Sequence, residues 1–146
     1  MSNVNEQLSM TGHLQIRLND ELVHDIPNLV VTAGKGFVAS RMIGTSAGVM
    51  SHMEVGTGTT NPAAGDTALQ SAVSSSRTAF SSSAAVSGAV VTYITTFAAG
   101  TGTGALTEAG IFNASSSGTM LCRTEFSVVN KGASDSMTIT WTVTVS

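Results

Sequence analysis

Charge is the scarcest commodity in this sequence. Only 10% of its 146 residues are Asp, Glu, Lys or Arg, against about 25% in an ordinary soluble domain. The six basic residues, Arg17, Lys35, Arg41, Arg77, Arg123 and Lys131, are scattered and form no run. No stretch of the chain could therefore neutralise several phosphates, which argues against nucleic acid as a partner. No basic amphipathic segment suits a membrane surface. No apolar run approaches the ~18 residues of a membrane-spanning helix. Cys122 is the single cysteine, so no disulfide can form within the chain, in keeping with folding in a reducing compartment. One Trp, one Tyr and two Pro complete the shortages. So few aromatics disfavour a sugar-binding platform.

What replaces them is small. Ser, Thr, Ala and Gly supply 72 of the 146 residues, and 42% of the chain is hydrophobic. Such a length suits one domain with a real core. A surface of small, weakly charged residues suits close contact between subunits. Residues 1–10 (MSNVNEQLSM) carry no apolar pattern and read as an N-terminal arm; they also lack the basic and apolar regions of a secretory signal. Residues 11–146 read as one β domain.

Alternation carries most of the fold assignment. Leu14, Ile16 and Leu18 predict a strand, Asn19-Asp20 a tight turn, and Leu22 to Ile26 its hairpin partner, ended by Pro27. Thr32 as N-cap and Gly44 as the stop bracket one helix near 33–43, with Gly34 and Gly36 weakening its first turn. Further strands are expected at Met50 to Val55, at Arg77 to Phe80 (weak), at Val90 to Phe97, at Ala109 to Phe112 and at Met120 to Val128. The glycine-rich stretches 56–66 and 98–105 read as loops, with Asp66 capping a short helical turn. From Met137 to Val145 the pattern is strict: Met137, Ile139, Trp141, Val143 and Val145 against Thr138, Thr140, Thr142 and Thr144. The expected class is mostly β, a sandwich or barrel-like domain with one short helix. The expected core comprises Leu14, Ile16, Leu29, Phe37, Met53, Val55, Val91, Phe97, Phe112, Leu121, Phe126, Ile139 and Trp141.

Catalytic chemistry finds little to stand on. Serine is abundant, but no Gly-x-Ser-x-Gly elbow is present. His24 and Asp25 are sequence neighbours and would point to opposite strand faces. His52 and Glu54 share a face, the one weak hint of an acid–base or metal pair; a half-buried polar pair explains them as well. One cysteine and the dispersed His13, His24 and His52 do not make a zinc site. Asp20-Glu21 reads as a solvated turn, and neither Asp66 nor Asp135 gathers enough oxygens for calcium. Gly100-Thr101-Gly102-Thr103-Gly104 and Gly56-Thr57-Gly58 lack the spacing of a phosphate loop. No catalytic, cofactor-binding or metal-binding residue is therefore assigned, and no enzyme activity is expected.

Several blocks do carry a resemblance. Residues 28–43 (NLVVTAGKGFVASRMI), 51–69 (SHMEVGTGTTNPAAGDTAL), 107–113 (TEAGIFN) and 118–126 (GTMLCRTEF), with the closing TITWTVTVS, resemble small structural proteins of tailed-bacteriophage particles. The resemblance runs from about residue 11 to the end and lies in the order of the blocks. It implies a virion component made in the host cytoplasm, with no catalytic site to carry over. Capsid decoration (cement) proteins are the leading expectation: a homotrimer on the major capsid protein, its residues 1–10 contributing to attachment. A tail-fibre, head-fibre or baseplate component involved in host attachment is the alternative.

Overall fold

The computed structural model describes residues 6–44 and 47–146. Residues 1–5 of the expected arm lie outside the described residues; residues 6–9 are exposed and irregular. In chain order the elements are β1 (Met10–Leu18), β2 (Glu21–Val30), α1 (Thr32–Arg41), β3 (His52–Gly56), β4 (Thr78–Ala79), β5 (Ala85–Ser87), β6 (Val90–Phe97), β7 (Gly104–Phe112), β8 (Met120–Lys131) and β9 (Met137–Val145). All nine strands join one curled antiparallel sheet in the order β4-β3-β7-β8-β2-β1-β9-β6-β5. The mostly β, barrel-like expectation with one short helix therefore holds.

The two ends of this sheet are stitched together by Phe80 and Ser81. The Phe80 N–H donates to the Ser51 carbonyl (3.0 Å) beside β3, and the Ser81 N–H donates to Ile94 O (2.9 Å) on β6. The Thr96 N–H adds a bond to Ser81 Oγ at 2.6 Å. The Phe80 and Tyr93 rings meet across the join at 5.1 Å. These bonds join the β3 side of the curled sheet to β6, while β5 (Ala85–Ser87) is paired with β6 alone and stands as a short exposed edge strand.

The alternating strands place their apolar faces inward. On β9, Met137, Ile139, Trp141 and Val143 are buried, flanked by Leu14 and Ile16 of β1 and by Phe97 of β6. The turn at Asn19 and Asp20 has positive φ at both residues (50° and 68°), the geometry that matches a two-residue hairpin to strand twist. Ten of the thirteen expected core residues are buried; Leu29, Phe37 and Val91 are only half-buried. For Leu29 the phase is off by one: its neighbour Val30 takes the core position, and a strand exchanges faces at every residue.

Four local expectations are corrected. Pro27 does not end the hairpin but lies inside β2, opposite His13. Thr32 is the first helical residue, Val31 is the N-cap, and no side chain caps the helix; the Thr32 N–H instead donates to Ala64 O (2.8 Å). Asp66 caps no helical turn; its carboxylate holds the loop, as described below. The stretch 98–105 is not all loop, because β7 begins at Gly104 and its Leu106 is fully buried. Gly34 weakens the helix less than it serves the packing. A Cβ there would collide with the backbone of Leu121, so only glycine lets α1 sit this close to β8.

Candidate functional site

The second half of β7 and the first half of β8 are buried on both faces. Ala109, Ile111 and Cys122 face the main core, while Phe112 and Met120 join Val31 and Leu69 in a second cluster on the other side. The cover over that second face is the long segment 57–72. Its hold on the sheet is a buried carboxylate and a buried guanidinium, Glu108 of β7 and Arg123 of β8.

Glu108 accepts five hydrogen bonds. The N–H groups of Gly58 (2.8 Å) and Ser71 (2.8 Å) reach Oε2, and the N–H of Gln70 (2.9 Å) reaches Oε1. Arg123 donates to Oε1 through Nε (3.1 Å) and Nη2 (3.0 Å). The rest of the Arg123 fork reaches Asp66 Oδ2 (3.0 Å) and the Thr60 carbonyl (3.0 Å). Gln70 then accepts from the N–H groups of Thr59 (2.8 Å) and Thr60 (3.0 Å). A Cβ on residue 58 would overlap Glu108 Oε2, so a glycine is required where the loop backbone meets the carboxylate. The whole forms a clasp. A charge can be kept out of water here only because its lone pairs and donors are met by fixed partners.

Two further basic residues hold loops in the same manner. Arg77 ion-pairs with Glu54 at 3.3 Å and lies 3.6 Å over the centre of the Phe112 ring. Its Nη1 donates to the carbonyls of Ala114 (2.9 Å) and Ser117 (3.1 Å), securing the serine-rich turn after β7. Lys131 is buried, and its Nζ donates to Ala98 O (3.0 Å) at the start of the glycine loop after β6. Burial draws the Lys131 ammonium below its ordinary range against the opposing pull of Asp135. Three of the chain's six basic residues are thus spent on internal loop clasps.

The sequence candidates are not drawn into one site. His52 and Glu54 do share a face of β3, but His52 Nδ1 meets Ser51 Oγ (2.7 Å) while Glu54 pairs with Arg77. Burial, and then the charge of Arg77, lower the His52 pKa. His24 Nε2 contacts the Ser127 carbonyl at 2.7 Å. Asp25 turns the other way and pairs with His13, whose hydrogen bond holds that carboxyl below the usual range. Asp20 and Glu21 are exposed. Asp135 accepts from Asn19 Nδ2 (2.9 Å) and from the Gly132 N–H (2.7 Å), which lower its pKa. Cys122 is buried and its thiol is pushed up to about 12. Among the described residues no group of three His, Cys, Asp or Glu could hold a metal ion.

Sequence reasoning passed over Glu108 and Arg123. Their signal lies in the sequence: Glu108 is the one charge in the apolar run LTEAGIF, and Arg123 follows directly on the apolar Met120-Leu121-Cys122. Single charges in doubly buried strands need a partner.

Besides the single exposed residues Val49 and Val86, exposed apolar side chains occur at two places in the fold. The first is the barrel end that carries the arm and α1, where Leu8, Met42 and Ile43 are largely exposed. There a groove of about 320 Å³ runs between arm and helix, lined by Leu8, Met10, Lys35, Val38, Ala39 and Met42. The second is the junction of β2 with β8, where Leu22, Val23 and Val128 are exposed. Comparison of the chain with models of protein families gives no match, and no match to it is found among curated proteins or solved structures.

Proposed function

We propose that this chain is a non-catalytic structural component of a tailed-bacteriophage particle, a decoration protein that binds the outside of the assembled shell and reinforces it. The observation that carries this reading is the apolar end of the barrel, where Met42 and Ile43 stand in solvent beside the α1 groove. Contiguous exposed apolar surface of this kind marks contact with another protein. The family resemblance of the sequence blocks supplies the kind of particle, and the major capsid protein is the partner proposed. The interior supports a structural role. Glu108, Arg123, Arg77 and Lys131 are committed to holding loops, so the charged groups that could do chemistry serve rigidity instead. Of the six basic residues only Arg17, Lys35 and Arg41 remain outside those clasps, which suits a partner other than nucleic acid. Three copies around a local threefold axis would match the symmetry of a shell, and many weak contacts would then act together.

The test uses particles that lack the chain. Such particles should release their genome at lower temperature, and adding back the purified protein should restore stability. Met42→Asp together with Ile43→Asp, both at exposed positions, should abolish that restoration while leaving the fold intact. Unchanged shell stability with loss of adsorption to host cells would overturn the proposal in favour of a fibre or baseplate role.

A further inference from the structure

Much of the charge in this chain is paired within the fold. Glu54, Asp66 and Glu108 hold Arg77 and Arg123, and Asp25 holds His13. The side chains of Asp20 and Glu21 at the β1–β2 turn, and of Lys35 on α1, are exposed and have no hydrogen-bonded or ionic partner among the described residues. Strand β2 runs from the acidic pair to the helix over the ten residues Glu21–Val30, a length of roughly 30 Å. Beside it β1 and β9 pair over the same span, from Leu18 opposite Met137 to Met10 opposite Val145. The turn and the helix therefore stand at opposite ends of the barrel. Arg41, also exposed, adds a second positive charge at the helix end and donates to Ala47 O. Arg17 acts on Asp25, along the wall between the ends.

Each end sets its charge next to exposed apolar side chains. At the helix end Lys35 lines the groove of about 320 Å³ together with Val38 and Met42. Met42 and Ile43 are 86% and 87% exposed. At the other end Glu21 is followed directly by Leu22 (44% exposed) and Val23 (39%). The turn that presents them is held rigidly. Asn19 donates through its N–H to Ser136 O (2.8 Å) and through Nδ2 to Asp135 (2.9 Å), and its Oδ1 accepts from the Ser136 N–H (3.0 Å). A projecting group already fixed in place loses little freedom when it docks.

The two ends are complementary to each other: acidic with apolar at one, basic with apolar at the other. We infer that the β1–β2 turn of one copy of this chain seats on the α1 end of a second copy, with Leu22 in the groove and Glu21 against Lys35. Charge selects this orientation. Helix end on helix end would set Lys35 and Arg41 against themselves, and turn on turn would do the same to Asp20 and Glu21; like charges brought together suppress a contact. The contact joins two different patches, so copies add head to tail and close into a ring when the rotation allows. The inference deepens the proposed function and rests on it in one respect. The α1 end is the surface proposed for the shell, so free copies hold it covered and the shell competes for it.

The experiment is performed on the purified chain without particles, by analytical ultracentrifugation over a dilution series. The unaltered chain should self-associate, and more weakly as added salt screens the charges. Lys35→Glu alone and Glu21→Lys alone should each weaken association about tenfold, because positions 21 and 35 then carry like charges in every contact. An equimolar mixture of the two variants should associate again, since each turn now meets a helix end of opposite charge on the other variant. Leu22→Ser should weaken association without such rescue. All three positions are exposed, and unchanged circular dichroism separates lost association from unfolding. A chain that sediments as a monomer throughout, association indifferent to both charge reversals, or a mixture no stronger than either variant alone would overturn the inference. Those failures would leave the heating of particles unaffected, and failure of the particle assay would leave the sedimentation result standing.

Discussion

Replacing Glu108 by Gln tests whether the clasp is what holds segment 57–72. The substitution keeps the side-chain shape but removes the charge and turns one acceptor oxygen into an NH₂ donor. Whichever way the amide is placed, its NH₂ faces donors: the N–H groups of Gly58 and Ser71 on one side, or the N–H of Gln70 and the Arg123 guanidinium on the other. Arg123 meanwhile keeps only Asp66 as a charged partner, and Asp66 is itself partly exposed. Removing one partner of a buried ion pair costs about 3–5 kcal/mol because the other charge stays buried and uncompensated. A total stability of about 5–15 kcal/mol is usual for a domain, so the loss is large. For a chain of this size it corresponds to a fall in Tm of roughly 6–20 °C. Differential scanning calorimetry measures the fall. Hydrogen exchange locates it, with the amides of Gly58, Gln70 and Ser71 losing protection ahead of those in β1 and β9. A Glu108→Gln protein within about 0.5 kcal/mol of the original, the range of surface substitutions, would refute the clasp.

Two other predictions rest on the core. Trp141→Ala should cost about 3–5 kcal/mol by urea unfolding, since the indole is fully buried and its Nε1–H donates to Asn28 Oδ1 at 2.8 Å; a cost under about 0.5 kcal/mol would show the wrong face of β9 inward. Cys122 should resist a thiol reagent in the native protein and react once unfolded, because its thiol is buried and its pKa is pushed from 9.0 up to about 12. The sign for stability follows. Between pH 9 and about 12 the unfolded chain loses this proton and the folded one keeps it, so stability should fall as pH rises through that window, and Cys122→Ala should flatten the fall.

Much of the sheet was legible because alternation is a local property. Met137 to Val145 states its own inward face, and β-branched residues mark β6 without reference to any neighbour. The Asn19-Asp20 turn was legible for the same reason: two residues able to take positive φ sit between two alternating runs. Where a strand is covered on both faces that signal vanishes, and β7 was shortened in the sequence reading to Ala109–Phe112. Its first half, Gly104 to Thr107, looks like loop because glycine and threonine carry little hydrophobic signal, yet Leu106 is fully buried.

The sequence by itself determined a mostly β chain, the phase of its strongest strands, its one helix and its scarcity of charge. Each of these depends on residues a few positions apart. The tertiary structure alone decided what the few charges do. Glu108 and Arg123 are fifteen residues apart in sequence, and Asp66 is fifty-seven from Arg123. Only the β7–β8 register and the fold-back of segment 57–72 bring them together. The bulge of β8 against β7, between Leu106 and Glu108, is likewise a tertiary fact, since a bulge exists only relative to the strand it fails to match. Local pattern fixes which face of a strand turns inward; which distant side chain it meets there depends on how the whole sheet closes.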